Sequence, residues 1–239
     1  MVSVVAPIVE VTVRGLFGRR RIFLLVLLAA LPVLIALLIR VAGGRPDADR
    51  VLDTLVVRFV MPLVALIVGT TVIGSEIDDG TAVYLMVKPI ARWRIVLSKA
   101  LVAAGLTAVL ILPPVIVTAI LLSRTDLATT IEAFTIACFF GGTAYAMAFL
   151  ALSTFTSRAF LIGLAYVLIW EGVLASLLEG TKFLSIRQAT LGIAAALGVN
   201  TAGEPLPQTV SAAVLAVVIA GGFMLASWRL ARFEVRGGD

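Results

Sequence analysis

Residues able to do chemistry are scarce in this chain. It has no histidine and a single cysteine, Cys138. A Ser-His-Asp triad, a Cys-His pair, a His-ligated haem and a His/Cys zinc site are therefore excluded within it. No G-x-x-x-x-G-K-[ST] string occurs, so the chain carries no P-loop of its own. Cys138 lies in an apolar run and reads as a small packed hydrophobe. Two placements of charge stand out. Glu76, Asp78 and Asp79 cluster directly after an apolar run, and Glu171 stands alone inside another. An acid within a membrane span costs about 2.5–3.5 kcal/mol on insertion scales, so it must face protein or water or be protonated. Glu171 reads either as a pathway or gating group or as a polar tie between helices, and the sequence leaves both open.

The elements that must position these residues follow from composition. Of 239 residues, 61% are hydrophobic and 14% charged. A soluble domain has about 45–50% apolar and about 25% charged residues. Mean hydropathy is +1.14. This excludes disorder, a disulfide scaffold and an ordinary water-soluble enzyme, and it indicates a polytopic membrane protein. The net charge of +5 sits beside apolar runs. It reads as a topology signal and an attraction to anionic lipid headgroups, with no nucleic-acid partner.

The fold expected is all-α, a single transmembrane domain over 1–239 with six spans at about 22–39, 55–74, 100–122, 133–152, 159–178 and 209–228. Each approaches the roughly 20 residues that cross a hydrocarbon core. The first is read as a span and not as a cleaved signal, because its apolar run is too long and no small-x-small site follows. One set of loops and tails holds twelve lysines and arginines, among them Arg19, Arg20, Arg21, Lys88, Arg92, Arg94 and Lys99; the other holds six. The positive-inside rule places the first set and both termini in the cytoplasm. Arg58, near the outer end of the second span, is expected to snorkel to the headgroups. Pro32, Pro62 and the pair Pro113–Pro114 fall inside spans and shape the bundle. Gly69, Gly74, Gly141, Gly142 and Ala146 are candidates for close helix contact.

Three further segments are not spans. Residues 3–17 place Val4, Val5, Ile8 and Val11 on one helical face, which suits an interfacial helix. The loop 75–98 holds the acids, a turn at Gly80 and a short apolar helix over 81–87, ended by Pro89. Acids at a helix C-terminus oppose its dipole, so Glu76, Asp78 and Asp79 are expected to begin the new helix and cap its amides. That helix either lies on the membrane surface or docks in a groove of a partner. The external region 179–208 contains the apolar run 189–199, too short to cross, which suggests a re-entrant or surface-lying helix.

The order Glu76, Gly80, Thr81, Pro89, Lys99 resembles the cytoplasmic loop of type-2 ABC transporter permeases. The six spans, the interfacial first helix and the segment before the last span resemble that family too. The resemblance implies a non-enzymatic permease subunit in the cell membrane, an exporter in most members. It implies two copies of a P-loop ABC ATPase and a second permease, the same chain or a homologue. ATP and Mg would sit on the ATPase, with no cofactor or metal in this chain. Glu76, Asp78, Asp79, Gly80, Thr81, Tyr84, Leu85, Lys88 and Pro89 would form the coupling helix seated in the ATPase. No residue selects a substrate. A secondary carrier, a membrane enzyme or a membrane anchor remains the alternative class. A proton-driven carrier would rest on Glu171, and the spans hold no constellation of titratable groups for an enzyme.

Overall fold

A computed structural model describes residues 19–44, 46–78, 92–123, 126–174, 179–201 and 203–232. Among them the chain is helical with no strand. α1 is Arg19–Val41 and α2 is Ala48–Val51. A π-helical segment, Leu52–Val60, joins α2 to α3, Met61–Asp78. α4 is Arg92–Leu122 and α5 is Leu127–Phe155. α6, Ala159–Ala165, runs into a second π-helical segment, Tyr166–Leu174. A 3-10 turn, Glu179–Leu184, precedes α7, Ile186–Ala196, and α8 is Gln208–Ala231.

Helix is the economical form for such apolar runs, because hydrocarbon offers no partner to a bare N–H or C=O. α5 is the hub and packs against α3, α4, α7 and α8. Small residues make the close approaches. A Cβ on Gly69 of α3 would stand 2.9 Å from the Ala146 carbonyl oxygen of α5. The outside is apolar: Leu38 is 68% exposed and Val217 70%. The inside holds Asp53, Lys99, Glu171 and Arg187, each under 9% exposed. Apolar helices with such a surface use lipid as their solvent.

Among the described residues, five helical stretches are long and apolar enough to cross a membrane: Phe23–Val41, Ala48–Val72, Trp93–Leu122, Leu127–Phe155 and Gln208–Ala231. The expected fifth span appears as the shorter apolar helix Ala159–Val173. Fifteen residues at 1.5 Å rise reach about 22 Å, short of a roughly 30 Å core. The helices overrun the expected bounds elsewhere. α3 continues through Asp78 and α4 starts at Arg92, so the connection between them shrinks to 79–91, outside the described residues. The expected interfacial helix over 3–17 also lies outside them. Pro32 and Pro113–Pro114 sit within unbroken helices.

Candidate functional site

Glu76 and Asp78 belong to the last turn of α3 and do not begin a new helix. This corrects the expectation based on the dipole. A dipole penalty of about 0.3–1 kcal/mol per acid is too small to end a helix. Lys99 of α4 is 2% exposed, and its Nζ donates to the Val72 carbonyl at 2.8 Å, less than two turns before the helix ends. This bond ties together the two helices that flank 79–91. Asp79, Gly80, Thr81, Tyr84, Leu85, Lys88 and Pro89 lie outside the described residues.

Glu171 is described, and it is 2% exposed. Its carboxylate accepts three hydrogen bonds. Tyr166 Oη donates to Oε1 at 3.0 Å, the Ile186 N–H donates to Oε1 at 3.0 Å, and Ser185 Oγ donates to Oε2 at 2.5 Å. Ser185 is the N-cap of α7, and its Oγ also accepts from the Gln188 N–H at 3.1 Å. The carboxylate therefore sits at the positive end of α7, where the Ile186 N–H and the capping Ser185 hydroxyl both point to it. It joins the fifth apolar segment to the helix that follows. In geometry this is the polar tie between helices.

α7 lies deep beside α5. A Cβ on Gly141 would collide with the Thr190 side chain, and Gly141 is the midpoint of Leu127–Phe155. Gly198, past the end of α7, comes against Thr129 near the start of α5. α7 thus runs antiparallel to the first half of α5, with its N-terminus near mid-helix depth.

A second pair of charges meets the first turn of α7. Arg187 is 6% exposed, and its Nη2 stands 4.0 Å from Asp53 Oδ1 of the first π-helical segment. Arg58, Glu171 and Tyr145 also lie within electrostatic reach of Arg187. The Tyr145 hydroxyl is buried near Glu171 but meets hydrogen-bond geometry with no partner. Arg58 is half-buried, with its Nε enclosed. The π-helical backbone bears on where such side chains point. On an α-helix, residues five apart point about 140° apart. The i→i+5 repeat of a π-helix brings them toward one side, and the Met61 N–H closes that repeat on the Val56 carbonyl. Asp53 and Arg58 are five apart, and so are Tyr166 and Glu171 in the second π-helical segment.

Sequence reasoning singled out Glu171 and passed over Asp53, Tyr145, Tyr166, Ser185 and Arg187 as site residues. Ser185 did leave a signal, a Ser directly before a helical run. Nothing in the sequence marks the π segments.

At the far end of α5, Asp49 links three connections. Its Oδ1 accepts from Thr130 Oγ1 at 3.1 Å and its Oδ2 from the Asn200 N–H at 3.2 Å. A cavity of about 770 Å³ lies apart from Glu171, between α4, α5, α7 and α8. Its lining is apolar except for Thr143 and Gln208. Among the described residues no three His, Cys, Asp or Glu side chains gather to hold a metal ion.

Several long apolar helices packed around α5, with Asp53, Lys99, Glu171 and Arg187 buried among them, define a multi-pass membrane protein. The family profile described as ABC-2 family transporter protein matches residues 17–178. The chain belongs to this family, as the loop over 76–99 leads one to expect. No curated protein matches it. Membership makes the chain a membrane component of an ABC transporter, associated with an ABC ATPase and without an ATPase site of its own.

Proposed function

We propose that the chain is the permease subunit of an ATP-driven exporter. The observation that carries this reading is the family match over 17–178, which takes in the whole of 76–89. Two copies of the ATPase hold ATP and Mg, and a second permease, identical or homologous, completes the path. The chain sits in the plasma membrane with both termini in the cytoplasm. The segment 159–178 makes the sixth crossing, and α7 enters from the outer side and returns. The packing of Thr190 on the midpoint of α5 supports a re-entrant α7.

Force enters at 76–89. Closure of the ATPases on ATP moves the 81–87 helix as a rigid body, and the helices flanking it rock with it. The Lys99 bond to Val72 supports this mechanism, since it makes α3 and α4 respond together. Glu171 serves as an inter-helix tie that keeps the fifth segment and α7 in register.

The test is purification with the genetically neighbouring ATPase. A stable complex is expected, and charge reversal at Glu76, Asp78 and Asp79 should abolish ATPase-linked transport. Absence of a complex, or transport untouched by the reversal, overturns the reading. Transport driven by an ion gradient without ATP would favour a carrier instead.

A further inference from the structure

The apolar cavity between α4, α5, α7 and α8 is a slot with a defined length, floor and mouth. It follows α8 from Gln208 to Phe223, about 22 Å at 1.5 Å rise. Ala100, Met147 and Leu215 form its floor, each under 9% exposed. Leu97, Leu101 and Phe140 edge its open side and are exposed on the outside of the bundle. Small side chains make the gap. Ala212, Ala216 and Ala220 recur every fourth residue and share one face of α8, as Ala100 and Ala104 do on α4.

Water does not fill such a slot. Apolar cavities stay dry and take apolar guests, and this one opens toward hydrocarbon. The Thr143 hydroxyl is already used, since it donates to the Phe139 carbonyl at 2.7 Å. Gln208 sits at the far end, where α8 begins. Two occupants compete, a lipid chain and a helix of a second copy, and width decides between them. A volume of about 770 Å³ over about 22 Å gives a mean section of about 35 Å². A helix with its side chains is about 10–12 Å across, or roughly 80–110 Å² in section. A lipid chain is one carbon wide, with neighbours about 4 Å away, and it fits. The chains of one leaflet reach about 15 Å, half the hydrocarbon core, which is within the length of the slot.

The mouth selects the headgroup. Trp93 and Arg94 precede Leu97 by about one turn, on the side of α4 that faces the slot. Both are exposed, and the Arg94 guanidinium lies 5.4 Å from the centroid of the Trp93 ring. Such a pair at a helix end sits at headgroup level, and its cation attracts an anionic lipid.

We propose that the slot binds one anionic phospholipid, with an acyl chain between α4 and α8 and its phosphate at Arg94. The site needs neither the ATPase nor transport, so it goes beyond the proposed function.

The test uses the full chain, stripped of lipid in a neutral detergent. Dipalmitoyl phosphatidylglycerol is titrated, and native mass spectrometry counts the bound copies. Saturation at one lipid per chain is expected. Phosphatidylcholine with the same chains should bind about fivefold more weakly, and so should phosphatidylglycerol to Arg94→Gln, since one basic residue at the surface is worth about that factor. Ala216→Phe fills the slot. Each displaced methylene is worth about fourfold, so the affinity should fall about tenfold or more. Val217→Phe changes the outer side of α8, where Val217 is 70% exposed, and should bind as the parent does. Ala212→Phe keeps the test decisive if Ala216→Phe fails to fold. Absence of a saturable copy, affinity unchanged by the slot-filling variants or by Arg94→Gln, or an equal loss in Val217→Phe overturns the proposal. A lipid-free dimer of the chain that Ala216→Phe dissociates assigns the slot to a helix and overturns it too.

Discussion

Replacing Glu171 by Leu removes the carboxylate and keeps much of the volume. Three donors then lose their acceptor: Tyr166 Oη, Ser185 Oγ and the Ile186 N–H. Tyr166 shares a segment with Glu171, so only the Ser185 and Ile186 bonds cross to α7. Polar contacts between membrane helices average about 0.6 kcal/mol each, and losing both amounts to about 1.2 kcal/mol. The values of about 1–3 kcal/mol per stranded buried donor make that a floor. The loss falls on the attachment of α7 to the fifth segment, not evenly on the bundle. Thr190 reads it out, because it is fully buried against Gly141 of α5. Cys138 is the only cysteine and is 1% exposed, so a Thr190→Cys variant supplies the reactive thiol. A further ~1.2 kcal/mol toward opening of α7 raises the labelling rate of that thiol about 8-fold. Glu171→Gln, which keeps one acceptor oxygen, should fall between the two. If Thr190→Cys labels at rates within twofold of each other with and without the added Glu171→Leu change, the reasoning is refuted.

Other perturbations test other ties. Gly141→Ala should destabilise by about 1–3 kcal/mol through collision with Thr190, and Thr190→Ala in the same chain should restore much of it; melting of the four variants measures the coupling. Lys99→Glu places an anion against the Val72 carbonyl and should cost about 2–4 kcal/mol, read as a lowered midpoint in detergent melting. Asp49→Ala frees Thr130 and the Asn200 N–H, and about 1–2 kcal/mol of local stability should be lost; faster proteolysis near Asn200 with little change in global melting is the expected signature.

The sequence already carried much of this fold. Apolar runs bounded by arginine gave the long helices, because crossing hydrocarbon demands both length and hydropathy. Their ends were less legible. The third span read as starting near residue 100, yet α4 begins at Arg92, since a helix does not stop where its hydropathy falls. Glu76 and Asp78 read as a helix start on the dipole rule. A dipole preference of about 0.3–1 kcal/mol does not decide where a helix stops. Glu171 announced itself as the acid out of place, and the choice between pathway and tie needed Ser185 and Ile186, fourteen and fifteen residues on. The π-helical segments Leu52–Val60 and Tyr166–Leu174 were not legible, because apolar spacing signals only the 3.6-residue period.

The most direct test of the central claim is a photo-crosslinker at Tyr84, in the 76–89 segment, with the neighbouring ATPase present. A docked coupling helix predicts an adduct with the ATPase whose yield changes when ATP is added. Adducts with lipid alone, or an ATPase adduct indifferent to ATP, would contradict the account.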